Sequence, residues 1–208
     1  MSNYKTEEEA FWASQEWASD YIDRVNKNVS FDNVKFFSDI FSRCTKKINS
    51  VLEFGSNIGI NLAAINKVFK NLDISAIEIS DVAVKELEKK DFINKIYHGS
   101  MLDVNIEEQR DFVFTKVVLI HINPDFLDTV YEKLYNSSSK YILIAEYYNP
   151  TPVTVVYRGN KDKLYKRDFA GEMLDKYPDL ELVDYKFNYH RDSHFPQDDV
   201  TWFLLQKK

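Results

Sequence analysis

The 208-residue sequence predicts a doubly wound α/β fold: a Rossmann-like sheet of seven strands, mostly parallel, with an antiparallel C-terminal strand and helices ahead of the first strand. Three observations predict it. Short apolar runs alternate with stretches of helical period from residue 50 to residue 147; the segment Val51 to Asn61, VLEFGSNIGIN, carries a strand into a helix through a glycine-interrupted turn; and the C-terminal segment holds two strand-like runs with no helix between them.

Taken in order, Thr6-Glu7-Glu8-Glu9 is a capping-box arrangement that opens a helix over Thr6 to Val25, with Phe11, Trp12, Trp17, Tyr21 and Ile22 at helical spacings. A second helix is expected over Val34 to Cys44. Strand one is Ser50 to Phe54 and its helix Ile60 to Lys70; strand two is Asp73 to Ile79 and its helix Asp81 to Lys89. Strand three is short, Ile96 to His98. Strand four is Phe112 to Thr115, and Asn123-Pro124 signals the start of a helix that runs to Tyr135. Strand five is Tyr141 to Tyr147, after which the residues as far as Gly159 read as a proline-bounded loop. Leu180 to Phe187 and Val200 to Gln206 form the closing antiparallel hairpin. No repeats, low-complexity tracts or linkers interrupt the chain.

Composition fits one enzyme-sized core. With 44% apolar and 15% aromatic residues the chain reads as a single domain over 1–208, an N-terminal helical cap over 1–48 on a Rossmann-like core over 49–208. One cysteine, Cys44, excludes an internal disulfide and a cysteine-based metal site, and reads as a buried or half-buried thiol. No apolar run nears the roughly 20 residues that span a bilayer, and the N-terminus lacks the order of a signal peptide, so a cytoplasmic location and no membrane contact are expected. A net charge of −6, with lysines scattered among acids, argues against a nucleic-acid surface.

The glycine turn defines the ligand class. Gly55 and Gly59 give backbone freedom beside the amides that open the next helix. A dinucleotide loop needs a further glycine where Asn57 stands, because the pyrophosphate lies on the backbone there. Instead Glu53 precedes Gly55 by two residues, and E-x-G-x-N-x-G suits a ligand with an amino group and no pyrophosphate. About 20 residues on, Glu78 ends strand two, where an acid takes both ribose hydroxyls. His98-Gly99-Ser100-Met101-Leu102-Asp103 then follows strand three. These three motifs, in this order, resemble the class I S-adenosylmethionine-dependent methyltransferases. The resemblance implies S-adenosyl-L-methionine as cofactor and places the adenine at the Gly99 turn, where Ser100 or Asp103 meets its amino group and Met101 covers its face. It implies a cofactor set of Glu53, Gly55, Ser56, Asn57, Gly59, Glu78, Ile79, Ser100, Met101 and Asp103. Lys116 and the first-helix residues Tyr21 and Arg24 are its candidates at the methionine end; packing against the sheet is the alternative for the helix aromatics.

Leu119 to Asp125 (LIHINPD), Ala145 to Gly159 (AEYYNPTPVTVVYRG), Tyr165 to Met173 (YKRDFAGEM) and Tyr189 to Lys207 (YHRDSHFPQDDVTWFLLQK) are more specific. Together they resemble the methylases associated with pseudaminic acid biosynthesis, over essentially the whole chain. That resemblance implies a nonulosonic acid sugar, or its nucleotide-linked precursor, as a small-molecule substrate methylated on a hydroxyl or amine. An NAD-linked sugar reductase and a non-catalytic cofactor-binding subunit are the alternatives.

Methyl transfer to an alcohol benefits from a base. His121 after strand four and Glu146 at the end of strand five are the candidates; a packed core histidine and an ion-paired glutamate are the plain alternatives. Tyr147 and Tyr148 offer ring faces to a sugar, and Arg158 a fork for a carboxylate or phosphate, a surface arginine being its alternative. In the closing hairpin His190, Arg191, Asp192, His194, Asp198 and Asp199 cluster. Their spacing matches no recognised metal motif, so no metal is expected, and His190, Arg191 and Asp198 are held as substrate contacts. The aromatic helices leave a homodimer possible.

Overall fold

A computed structural model describes residues 4–14, 19, 30–157 and 159–208, with the backbone alone at 160–162. The chain divides into two compact units, Met1–Glu108 and Gln109–Lys208. Trp17, Tyr21, Arg24 and Arg158 lie outside the described residues.

In the first unit, helix α1 (Glu7–Trp12) starts as the capping box requires: the Thr6 hydroxyl accepts the Glu9 amide at 3.0 Å while the Glu9 carboxylate accepts the amides of Thr6 and Lys5 at 3.3 and 2.7 Å. Helix α2 (Phe31–Phe41) begins three residues before the expected Val34, because Ser30 accepts the Asn33 amide at 3.1 Å and supplies an earlier cap. It buries Phe36, Phe37, Ile40 and Phe41. Then follow β1 (Ser50–Phe54), α3 (Ile60–Val68), β2 (Asp73–Glu78), α4 (Asp81–Leu87) and β3 (Lys95–His98). β2 pairs in parallel with β1 and with β3. Leu52, Phe54 and Ile74 of the strands are fully buried, as expected of parallel strands covered on both faces, and so are Leu62, Ile65 and Leu87 of the helices. Half-buried Cys44 packs at the end of α2, and burial pushes its thiol up to about 12, an inert structural cysteine.

The second unit opens with β4 (Arg110–Lys116), two 3-10 turns (Leu119–His121 and Pro124–Phe126), α5 (Leu127–Ser137) and β5 (Ser138–Glu146). The helix expected from Pro124 therefore starts as a 3-10 turn, with the Asn123 side chain accepting the Asp125 amide at 3.0 Å. β8 (Leu180–Phe187) and β9 (Thr201–Lys207) are the closing strands; β9 pairs antiparallel with both β5 and β8. The strand order is β3-β2-β1-β4-β5-β9-β8.

The expected loop after β5 is structured. β6 (Val153–Tyr157) and β7 (Asn160–Lys166) form an antiparallel hairpin separate from the main sheet. The β-branched run Val153-Thr154-Val155-Val156 favours a strand, but the flanking Pro150 and Pro152 read as loop punctuation. Helix α6 (Phe169–Lys176) is masked in the sequence by Gly171. That glycine leaves room for the Asp168 carboxylate, which caps the helix by accepting the Gly171 amide at 2.8 Å.

Candidate functional site

In the first unit the carboxyl ends of β1 and β2 each present a buried acid, Glu53 at 1% and Glu78 at 7% exposure. Between them runs the glycine turn. Gly55 and Asn57 take left-handed backbone, φ 73° and 46°, and the amides of Gly55 and Ser56 both bond the Ile77 carbonyl, at 3.0 and 2.9 Å. Asn57 tolerates that conformation because its side-chain oxygen accepts the Ile58 amide at 2.7 Å. The same bond takes up an amide that a phosphate at this helix start would need. Gly59 is favoured by its left-handed backbone, φ 74°, and a Cβ there would also lie 2.7 Å from Leu87 Cδ2, the end of a flexible side chain. Its missing side chain serves the approach of α4.

Glu78 organises the turn. Its Oε2 accepts the Asn57 amide at 2.7 Å and its Oε1 the amides of Ile79 and Ser80 at 2.9 and 2.8 Å. Burial raises its pKa, and those three amides oppose the rise. Glu53 accepts the Asn61 side-chain amide at 2.8 Å, and the Ser56 hydroxyl donates to the Glu53 carbonyl at 3.1 Å. After β3, the Ser100 hydroxyl bonds the Glu9 carboxylate, and Lys5 pairs with Asp103. Both polar candidates for the adenine amino group thus also hold the N-terminal segment, with half-buried Met101 between them. Glu9 and Asn61 were not legible as site residues: one looked like a cap, the other like an ordinary helix residue.

The fit of this unit to a cofactor follows from its chemistry. Two buried carboxylates accept and do not donate, so they suit a ligand that brings an amino group and ribose hydroxyls. No backbone cradle for a pyrophosphate is offered at Asn57.

In the second unit the turn after β4 is the corresponding feature. Lys116 ends the strand in register with Ala145, and Val117 has φ 58°, a left-handed conformation that a β-branched residue resists. Glu146, 2% exposed, encloses its carboxylate in this turn. Oε1 accepts the Thr115 hydroxyl at 2.9 Å and the amides of Val118 and Leu119 at 3.1 Å each; Oε2 accepts Val118 and Ile120 at 3.0 and 3.4 Å. Burial pushes the Glu146 carboxyl up to about 7 against the pull of those donors.

His121 closes the same turn. Its Nδ1 lies 2.9 Å from the Lys163 carbonyl of β7, and a carbonyl only accepts, so the proton sits on Nδ1 and the lone pair on Nε2. Burial lowers its pKa to about 4, only partly offset by that carbonyl, and Tyr157 of β6 packs 5.5 Å from the ring. The hairpin that the sequence concealed therefore sets the tautomer of the histidine that it revealed.

The remaining candidates separate. Tyr148 is exposed and its ring meets Phe203 at 5.7 Å, beside a small cleft lined also by Glu146, Arg167 and Thr201. Arg167 pairs through Nε with Glu172 at 2.6 Å, and Glu172 accepts the Tyr131 hydroxyl at 2.6 Å. His190 Nδ1 lies 2.8 Å from Asp199; Arg191 and Asp198 are exposed on the same loop. Among the described residues no three histidine, cysteine, aspartate or glutamate side chains converge to hold a metal ion, and no helix is long and apolar enough to cross a membrane.

No protein-family profile and no curated protein matches the chain. Solved structures do. A S-adenosylmethionine-dependent methyltransferase from Clostridium acetobutylicum superposes with TM-score 0.66 at 12% identity, over 92% of this chain and 98% of that one. The magnesium protoporphyrin IX methyltransferase of Synechocystis PCC 6803, solved with bound S-adenosylmethionine, gives TM-score 0.66 at 11% identity over 100% of both chains. The plantazolicin methyltransferase, in complex with S-adenosylhomocysteine, gives TM-score 0.66 at 15% identity over 97% of this chain and 94% of that one. The chain has the class I methyltransferase fold.

Proposed function

We propose that this protein is a S-adenosylmethionine-dependent methyltransferase. The observation that carries the reading is the pair of buried acids, Glu53 and Glu78, flanking a glycine turn whose Asn57 denies a pyrophosphate its amide, in a chain with the methyltransferase fold. Glu53 takes the amino group of the cofactor, Glu78 its ribose hydroxyls, and the turn from Ser100 to Asp103 its adenine. When bound, S-adenosylmethionine supplies an electrophilic methyl group on sulfur. His121 would act as the base: its Nε2 lone pair would take the proton of the acceptor hydroxyl or amine that receives this methyl group. An imidazole held neutral by burial is in the required protonation state at neutral pH.

The acceptor is a nonulosonic acid sugar or its nucleotide-linked precursor. The resemblance of the segments around His121, Tyr148, Tyr165 and His190 supports this, as does the exposed ring of Tyr148, which offers a face to a sugar. Calorimetric titration with S-adenosylhomocysteine and, separately, NADH tests the cofactor. Micromolar binding of the first alone is expected, and Glu78→Gln weakens it by about tenfold or more through loss of an acceptor for ribose. Binding of NADH alone overturns the reading and restores the reductase.

A further inference from the structure

We propose that Glu146 is a positioning residue that acts through the turn after β4, with Thr115 as its accessory: it holds that turn in a strained conformation and thereby fixes His121 for proton transfer. The inference rests on the methyltransferase reading for the role of His121, and on geometry alone for the clamp.

The turn has two local liabilities. Val117 adopts φ 58°, which a β-branched side chain disfavours, so the conformation persists only if its surroundings over-determine it. The 3-10 turn Leu119–His121 starts at Val118 without any side-chain cap of its own, which leaves successive backbone amides in a buried place seeking acceptors. One group answers both. Glu146 reaches from the adjacent strand β5, where its neighbour Ala145 pairs with Lys116, and collects the amides of Val118, Leu119 and Ile120 together with the Thr115 hydroxyl. The Val117 amide is held separately by the Ala145 carbonyl at 2.9 Å. Four donors aimed at two oxygens leave little capacity for an acceptor's proton, and Glu146 is only 2% exposed.

The next link is direct. His121 is the last residue of the turn so held, its amide bonded to the Val118 carbonyl at 2.9 Å and its Nδ1 to the Lys163 carbonyl. A turn released at Val118 carries the ring away from that carbonyl, frees the tautomer and admits water. A glutamine keeps only one accepting oxygen and turns an amide donor towards three backbone donors.

The test is the titration of His121, followed by proton NMR in the purified chain, with amide exchange at Val118 to Ile120 measured alongside. In Glu146→Gln the His121 pKa is expected to rise by about one unit or more towards its ordinary value as burial is lost. Exchange at the three amides should quicken by about tenfold or more. Thr115→Val, which removes one donor and keeps the volume, moves both in the same direction by less. Folded Glu146→Gln protein whose His121 titrates as in the parent overturns the proposal. Should that variant fail to fold, unmoved titration and exchange in Thr115→Val overturn it equally. Neither readout requires a cofactor or acceptor, so absence of methyl transfer in the parent protein is a separate result that counts against the activity and leaves the clamp standing.

Discussion

Two turns in this molecule solve one problem by different means. The turn after β1 and the turn after β4 each contain a non-glycine residue in left-handed backbone, Asn57 and Val117, and in each a buried glutamate from a neighbouring strand collects the free amides. Asn57 is suited to its conformation, since its side chain bonds the next amide; Val117 has no such recourse. Glu78 divides its oxygens between one loop amide and two amides beyond its own strand, whereas Glu146 spends every contact across the sheet, on the turn after β4 and the Thr115 hydroxyl. The first turn is locally compatible and only fastened by its glutamate. The second is locally incompatible and depends on it.

Removing Glu146 should separate the two turns most sharply. Glu146→Ala leaves several buried amides without acceptors and is expected to cost roughly 3–5 kcal/mol in urea unfolding at pH 7, against less than half of that for Glu78→Ala, whose loop retains its glycines and Asn57. Equal losses would erase the distinction.

The pH dependence comes next. Burial depresses His121 to about 4, so between its ordinary value of 6.5 and 4 the unfolded chain binds a proton that the folded chain does not, and stability falls as pH drops through that window. Glu146 works in the opposite sense: raised to about 7, it is protonated in the folded chain while still ionised in the unfolded one, so its contribution grows as pH falls from 7 towards 4.5. The two slopes oppose one another in the parent. His121→Gln removes one of them, and its stability relative to the parent should improve by roughly 2–3 kcal/mol between pH 7 and pH 4. A pH-independent difference would show that the histidine is not held neutral by its turn.

Gly59→Ala sharpens the first side of the comparison. With φ 74° and Leu87 only 2.7 Å from the new Cβ, a loss of about 2 kcal/mol is expected in thermal or urea unfolding. The smallest effect concerns Val117→Gly, which relieves the strained position and should change stability by no more than about 1 kcal/mol in either direction, whereas Asn57→Gly should be destabilising through loss of the bond to Ile58. A Val117→Gly loss well beyond that would mean that the side chain, and not the clamp, orders the turn.

The amino-acid sequence by itself determined what is written locally. β1 runs from Ser50 to Phe54 as expected, and β2, β3, β5 and the closing strands lie where apolar runs end at polar turns, because hydrophobic period and turn chemistry are properties of neighbours in the chain. Glu53, Asn57 and Glu78 are recognisable as candidates for the same reason, since a glycine turn and its acids follow one another at short spacing. Only the tertiary structure decided that Gly59 serves Leu87, that Glu146 faces four donors spread over Thr115 to Ile120, and that a hairpin hidden between prolines brings the Lys163 carbonyl to His121. Those contacts join residues 26 to 42 positions apart, and no periodicity within one segment reports which carboxylate or carbonyl a distant strand will place there.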